Sequence, residues 1–93
     1  MRSTPKISRI ELKSRFKKAY KKLEPSVRVM VDDAIRDLMA DPIPAGRRLE
    51  KLQGYTGVWS ARVNRSIRIT FHLSGGVASL RNVSTHTDIY HNP

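Results

Sequence analysis

Apolar and polar residues alternate one by one through two stretches in the second half of the chain, residues 58–63 and 67–73. Successive side chains on a strand point to opposite faces of a sheet, so this period predicts two strands joined by a tight turn at Asn64, Arg65 and Ser66. One predicted face is apolar and consists of Trp59, Ala61, Val63, Ile67, Ile69, Phe71 and Leu73. The opposite face, expected to stay open, holds Ser60, Arg62, Arg68, Thr70 and His72.

A further strand is expected at residues 77–83. The Gly75-Gly76 pair before it is typical of a hairpin turn. Ala78 and Leu80 alternate with Ser79 and Arg81 in this stretch, and the order indicates that Arg81 joins the polar face. The second half of the chain therefore predicts a three-stranded antiparallel meander.

The first half follows helical spacing instead. Starting from Ser14 as the expected N-cap, apolar residues recur at intervals of three and four up to Pro25, which can begin the next helix in its first turn. A second amphipathic helix is expected to reach about Ala40 and to stop at Pro42 and Pro44. The apolar positions of the two helices are Phe16, Ala19, Tyr20 and Leu23, then Val27, Met30, Val31, Ala34, Ile35, Leu38 and Met39.

Residues 6–12 allow two interpretations. Ile10 and Leu12 alternate with polar residues, which predicts a first strand. Ser8 and Glu11 have the spacing of a capping box, which would begin a helix there instead.

The expected fold class is α+β, with residues 1–93 forming a single domain. An N-terminal strand would precede two antiparallel helices packed on one face of a small sheet that ends in the three-stranded meander. A chain of 93 residues without cysteine supports one modest core without disulfides and offers no thiolate metal site. We expect no cofactor and no metal. We also expect no membrane span, since no apolar run approaches ~18 residues. The lack of cysteine fits a reducing cytoplasm.

The net charge of +10 favours a polyanionic partner through counterion release and steering. The charge is uneven, because residues 1–22 and 47–81 are strongly basic and an acidic stretch separates them. That acidic stretch carries Asp32, Asp33, Asp37 and Asp41. Arginine side chains on a sheet face match phosphate oxygens and can stabilise the charge that builds up when a phosphodiester is cleaved. RNA supplies its own nucleophile, the 2′-hydroxyl, and candidate proton-transfer groups are Glu50, His72, His86 and Tyr90.

Roughly residues 40–90 resemble the RelE/ParE superfamily of toxins from type II toxin–antitoxin modules. The residues that carry the resemblance are Asp41-Pro42, Leu49-x-x-Leu52-x-Gly54, Trp59-Ser60-x-Arg62-Val63-Asn64, Arg68-x-x-Phe71 and Thr85-His86-x-Asp88-Ile89-Tyr90. The superfamily opens with a strand, which favours the strand interpretation of residues 6–12. The resemblance implies the same RelE-like fold that the periodicity predicts.

The resemblance also implies site residues. Glu50 resembles the general-base glutamate of the YoeB branch, Arg68 aligns with the arginine shared among RNA-cleaving members, and His86 and Tyr90 resemble the terminal residues that assist acid–base steps. We therefore expect Glu50, Arg68, His86 and Tyr90 to be catalytic. The expected RNA-binding residues are Lys51, Arg62, Arg48, Arg81, His72 and Arg65.

Two departures from the family pattern bear on these roles. Ser60 stands where the RelE branch has a second lysine, and three residues separate His86 from Tyr90, which are adjacent in the family. Tyr55, next to Gly54, is expected either to pack in its loop or to stack on a base.

Three functions stay open at this point. The first is a ribosome-dependent mRNA endonuclease, whose partners would be mRNA on the ribosome, ribosomal RNA and a cognate antitoxin with an acidic segment. The second is a ParE-like inhibitor of DNA gyrase, which binds a protein and cleaves no RNA. The third is a non-catalytic RNA-binding domain. The combination of Glu50, Arg68, His86 and Tyr90 favours the nuclease.

Overall fold

The computed structural model of the protein describes residues 4–93. Nine elements follow one another along this part of the chain. They are β1 (Arg9–Leu12), α1 (Ser14–Lys21), α2 (Pro25–Leu38), a single-turn 3-10 helix (Ala45–Arg47), β2 (Glu50–Lys51), β3 (Val58–Arg62), β4 (Ile67–Ser74), β5 (Val77–Thr85) and α3 (His86–His91). Within these residues no helix is both long enough and apolar enough to cross a bilayer.

The strands form one sheet in the order β1-β5-β4-β3-β2. Strands β3, β4 and β5 are antiparallel neighbours, so the predicted meander is confirmed. β1 pairs in parallel with β5, and the connection between them runs through the helices. The N-terminal strand is also confirmed over the rival helix, although it is shorter than the predicted residues 6–12.

Helices α1 and α2 cover one face of the sheet and enclose the core. Ile69 and Phe71 are fully buried there, as the alternation predicted, and each apolar side chain of this size contributes about 1.5–3 kcal/mol by burial. Pro25 lies in the first turn of α2, as predicted. Ser14 is not an N-cap, because α1 begins with it and Lys13 takes the capping position without a side-chain bond.

Two polar contacts tie α2 to its neighbours. The Tyr20 hydroxyl of α1 donates to Asp32 Oδ1 at 2.7 Å, and this hydrogen bond raises the pKa of Tyr20. Arg47 Nε donates to Asp37 Oδ2 at 2.8 Å, while Arg47 Nη1 donates to the carbonyl oxygen of Val63 at 3.1 Å. The chain after α2 is thereby fixed against both the helix and the end of β3.

Strand β5 contains a bulge at Arg81. Phe71 pairs with Leu80 and Thr70 pairs with Asn82, so Arg81 has no partner in β4. A single extra residue reverses the alternation beyond it. Val83 therefore turns into the core, and Asn82 turns to the polar face.

The polar face of the sheet is not open, which corrects the expectation from the sequence. Helix α3 packs on it against β4 and β5. Ile89 of α3 is fully buried, and Ser60 and Thr70 beneath this layer have no exposed surface. The Thr85 side chain accepts a hydrogen bond from the backbone N–H of Asp88 at 3.2 Å and caps the helix. Helix α3, the short β2 and the 3-10 turn were not predicted.

Candidate functional site

Two arginines face each other across the middle of the polar face. Arg62 of β3 and Arg68 of β4 are direct cross-strand partners, so their side chains lie on the same side of the sheet. Like charges directly opposite in a ladder destabilise it. Arg68 is only 9% exposed, and its Nη1 donates to Ser60 Oγ at 3.3 Å. This pair therefore concentrates positive charge at a partly covered position.

Glu50 reaches the same position from the edge of the sheet. β2 pairs Glu50 with Ser60 of β3, which puts the carboxylate on the polar face. Glu50 Oε2 lies 4.0 Å from Arg68 Nη1 and accepts a hydrogen bond from the Tyr90 hydroxyl at 3.0 Å. The tyrosine thus fixes the orientation of the carboxylate next to the guanidinium.

His86 and Tyr90 are presented by α3. Residues four apart lie on one face of a helix, and the two rings pack edge to face with their centroids 5.1 Å apart. His86 and Tyr90 are therefore neighbours in space, although three residues separate them in the sequence and the family has them adjacent. Glu50, Arg68, His86 and Tyr90 come from three separate elements and converge in one cluster.

A concave surface of about 330 Å³ opens beside this cluster, and we call it the arginine hollow. Its lining residues in the described part of the chain include no carboxylate. They are Arg48, Arg62, Asn64, Arg65, Arg68 and His86. Asn64 Oδ1 accepts hydrogen bonds from the backbone N–H groups of Ser66 and Ile67, both at 2.8 Å, and so fixes the turn that carries Arg65. Four guanidinium groups in one hollow present donors that match the oxygen atoms of an anion.

Arg48 occupies this hollow in a strained conformation. Its φ of 46° and ψ of 58° lie in the left-handed region, which is unfavourable for a residue with a Cβ. Strained residues of this kind cost about 1–3 kcal/mol and concentrate at functional sites. The strain directs the chain from the 3-10 turn into β2.

A second hollow of about 290 Å³ lies on the other side of the cluster, and we call it the tyrosine hollow. It is lined by Glu50, Lys51, Leu52, Gln53, Tyr55 and Tyr90. Glu50 therefore stands next to Arg68 of one hollow and belongs to the wall of the other.

Three residues predicted to bind RNA lie away from the arginine hollow. Lys51 pairs with Trp59, and its ammonium nitrogen lies 5.3 Å from the centroid of the indole ring, on the opposite sheet face from Glu50. His72 pairs with Val58 and packs against Gly57, where an added Cβ would lie 2.9 Å from His72 Nε2. Arg81 lies in the bulge of β5 and does not line the arginine hollow. Its Nε donates to the carbonyl oxygen of Pro93 at 3.3 Å.

Some features of the site were not predicted from the sequence. Ser60 accepts a hydrogen bond from Arg68, although the sequence marked it only as a departure from the family. Asn64 shapes the arginine hollow, and the Asn-Arg-Ser turn was its signal. Thr85 and Asp88 have capping-box spacing, which could have revealed α3. In residues 4–93 no group of three or more His, Asp or Glu side chains is arranged to hold a metal ion.

Comparison by sequence finds no relative. No family model matches the chain, and no curated protein sequence matches it significantly.

Comparison by structure finds toxins of toxin–antitoxin modules. The chain is similar to YafQ in the Escherichia coli DinJ–YafQ toxin–antitoxin complex, with a TM-score of 0.75 and 21% identity over 90% of this chain and 99% of the other. It is also similar to the RelB–RelE antitoxin–toxin complex from Methanococcus jannaschii, with a TM-score of 0.71 and 19% identity over 89% and 99% of the two chains. A YoeB/ParE toxin from Agrobacterium tumefaciens gives a TM-score of 0.69 and 19% identity over 84% and 98%.

These likenesses span nearly the full length of each neighbour. The chain has the fold of the RelE/ParE superfamily of toxins, and the resemblance inferred from its motifs is confirmed at the level of the fold.

Proposed function

We propose that the chain is the toxin of a type II toxin–antitoxin module and that it is a metal-independent endonuclease acting on mRNA at the ribosome. The observation that carries this proposal is the convergence of Glu50, Arg68, His86 and Tyr90 beside a hollow lined by four arginines. These side chains combine an anion site with groups that accept and donate protons.

Arg68 holds the scissile phosphate and stabilises the charge that develops on its oxygens. Burial strengthens this effect, because a guanidinium shielded from water interacts more strongly with an anion. The facing Arg62 adds a second fork of donors, and a bound phosphate relieves the repulsion between the two arginines. Arg48 and Arg65 then contact flanking phosphates in the same hollow.

Glu50 acts as the general base. Its carboxylate takes the proton from the 2′-hydroxyl, the 2′-oxygen forms a bond to phosphorus, and the bond from phosphorus to the 5′-oxygen breaks. Tyr90, which donates to Glu50 Oε2, keeps the carboxylate in position. The products of this step are a 2′,3′-cyclic phosphate and a 5′-hydroxyl.

His86 acts as the general acid. It lines the arginine hollow, whereas Tyr90 lines the tyrosine hollow and is bonded to the base. A protonated imidazole in the arginine hollow can donate to the leaving 5′-oxygen. This division assigns the acid to His86 and the orientation of the base to Tyr90.

A cognate antitoxin is the expected protein partner. Neighbours of the same fold were crystallised with the antitoxins DinJ and RelB. The net charge of +10 suits an antitoxin with an acidic segment. The same positive charge suits binding to the negatively charged ribosomal RNA in the cytoplasm, where the nuclease would act.

Inducible expression tests the proposal. Growth should stop, and primer extension on a reporter mRNA should reveal new 5′ ends in translated regions. Co-expression of the neighbouring antitoxin gene should restore growth, and Glu50→Gln should be far less toxic. Purified protein is assayed in parallel for inhibition of gyrase supercoiling. Intact mRNA together with gyrase inhibition would overturn the proposal in favour of a ParE-like inhibitor, and harmless high-level expression would count against any toxin.

A further inference from the structure

Apart from Glu50 and Tyr90, the residues that line the tyrosine hollow have no assigned role in the proposed cleavage, yet the surface they form is specialised. Tyr55 is 44% exposed, and its aromatic ring stands on the loop between β2 and β3. Gln53 adds a side-chain amide to the same wall. An aromatic face combined with an amide that both donates and accepts hydrogen bonds suits a planar, uncharged heterocycle.

The loop that carries Tyr55 is anchored at both ends. The Leu52 N–H donates to the carbonyl oxygen of Val58 at 2.9 Å, and the Leu73 N–H donates to the carbonyl oxygen of Gly57 at 2.8 Å. Gly57 has a φ of 72° and packs under His72, where a larger residue would clash. The loop closed in this way presents the Tyr55 ring at the surface.

The position of the hollow relative to Glu50 limits which part of RNA it can receive. In a nucleotide the base is attached to C1′, the carbon next to the one that carries the 2′-oxygen. If Glu50 takes the proton from that oxygen, the base of the same nucleotide lies within one sugar ring of Glu50. The tyrosine hollow begins at Glu50 itself, whereas the arginine hollow on the other side is suited to charged phosphates.

We infer that the tyrosine hollow is a nucleobase subsite, which binds the base immediately 5′ to the cut by stacking on Tyr55 and by hydrogen bonds to Gln53. This inference rests on the proposed endonuclease function and adds to it a determinant of base preference.

The test maps cleavage in a reconstituted translation system with purified ribosomes and an mRNA that presents every codon. The wild type is compared with Tyr55→Ala, Tyr55→Phe and Gln53→Ala, and cut positions are quantified by primer extension. Met39→Ala is the matched control, because Met39 is as exposed as Tyr55 but lies at the end of α2. Urea unfolding of each variant verifies that the fold is retained.

Tyr55→Ala should weaken cutting at the preferred bases by roughly fivefold to a hundredfold, the range of base–aromatic stacking, and should reduce the preference among bases. Tyr55→Phe should retain both, because the ring is kept. Gln53→Ala should reduce the differences between bases, and Met39→Ala should behave as wild type.

Two results would overturn the inference and leave the endonuclease standing. One is a wild-type rate and base preference in Tyr55→Ala. The other is a loss of cleavage rate that is equal at every base and equal in Tyr55→Ala and Tyr55→Phe. Failure of the wild type to cut any mRNA would instead overturn the proposed function, and the inference with it.

Discussion

Strands β3 and β4 supply both faces of the sheet, but the two faces bury different chemistry. On the face under α1 and α2, the buried residues of these strands are apolar and include Ala61, Ile69 and Phe71. On the face under α3, three of the buried residues of these strands are polar, Ser60, Arg68 and Thr70, and Val58 is a buried apolar residue on the same face. One set of backbone hydrogen bonds thus supports an apolar core and a charged site back to back.

The difference shows where the fold gains stability and where it gives some up. The face under α1 and α2 removes apolar surface from water, and the apolar side chains buried there need no hydrogen-bond partners. The face under α3 sets two guanidinium groups opposite each other and holds Arg48 in a strained conformation. Stability alone does not account for such an arrangement, whereas the proposed binding of a phosphate would account for it.

Truncation on the apolar face should produce the largest change. Phe71→Ala should lower the free energy of unfolding by about 3–5 kcal/mol, because it removes a fully buried ring and leaves a cavity. Urea unfolding measures the loss, with Met39→Ala as an exposed control expected within about 0.5 kcal/mol of wild type. A loss below about 1 kcal/mol would mean that this face tolerates a cavity and is not the main source of stability.

Truncation on the polar face should act on activity instead. Arg68→Ala should slow cleavage of ribosome-bound mRNA by about a few hundredfold or more, equivalent to about 3–4 kcal/mol of transition-state stabilisation, while the fold stays intact. Arg68→Lys should recover little, because an ammonium lacks the planar fork of donors.

Arg36→Ala is the matched control, since it removes the same charge from an exposed pair with Asp33 on α2. It should change neither the rate nor the stability by a measurable amount. If Arg68→Ala cuts at the wild-type rate, Arg68 does not hold the phosphate.

These contrasts were largely foreseeable from the sequence because a period of two fixes the face of every residue in a strand. Alternation placed Arg62 and Arg68 opposite Ile69 and Phe71 without any knowledge of the tertiary structure. β2 was not predicted, since two residues are too short for a period. Lys51 was therefore grouped with Glu50, although neighbours on a strand point to opposite faces.

The cover of the polar face was harder to predict. α3 has six residues and buries one apolar side chain, Ile89, so hydrophobic spacing could not reveal it. The bulge at Arg81 is likewise a property of pairing with β4 rather than of local sequence, and it removed Arg81 from the predicted cluster. Residue chemistry marked Glu50, His72, His86 and Tyr90 as possible proton-transfer groups, and the resemblance then selected Glu50, His86 and Tyr90 from among them.

Relief of backbone strain should separate stability from activity at Arg48. Arg48→Gly should raise the free energy of unfolding by about 1 kcal/mol relative to Arg48→Ala, because glycine adopts a positive φ without cost from a Cβ. Both variants should cleave more slowly than wild type, and the deficit should depend on salt, since both lose the guanidinium. Equal stability of the two variants would show that position 48 is unstrained.

A similarly small effect is expected at Thr70. Within the described residues, its buried hydroxyl has no hydrogen-bond partner, and an unpaired buried polar group costs about 1–3 kcal/mol. Thr70→Val keeps the shape and removes the hydroxyl, so the unfolding free energy should rise by about 1 kcal/mol. A clear loss of stability in urea would indicate that the hydroxyl is satisfied in solution.

The chemistry of the newly formed RNA ends tests the central claim most directly. Ribosome-bound mRNA is cut by the wild type, and the ends are identified with and without a single 2′-deoxy substitution at the nucleotide 5′ to the cut. If the 2′-oxygen attacks with Glu50 as the general base, the new ends are a 2′,3′-cyclic phosphate and a 5′-hydroxyl. The 2′-deoxy substitution should then abolish cleavage, and Glu50→Gln should slow it greatly. Ends with a 3′-hydroxyl and a 5′-phosphate, or unimpaired cutting at the 2′-deoxy position, would contradict the account.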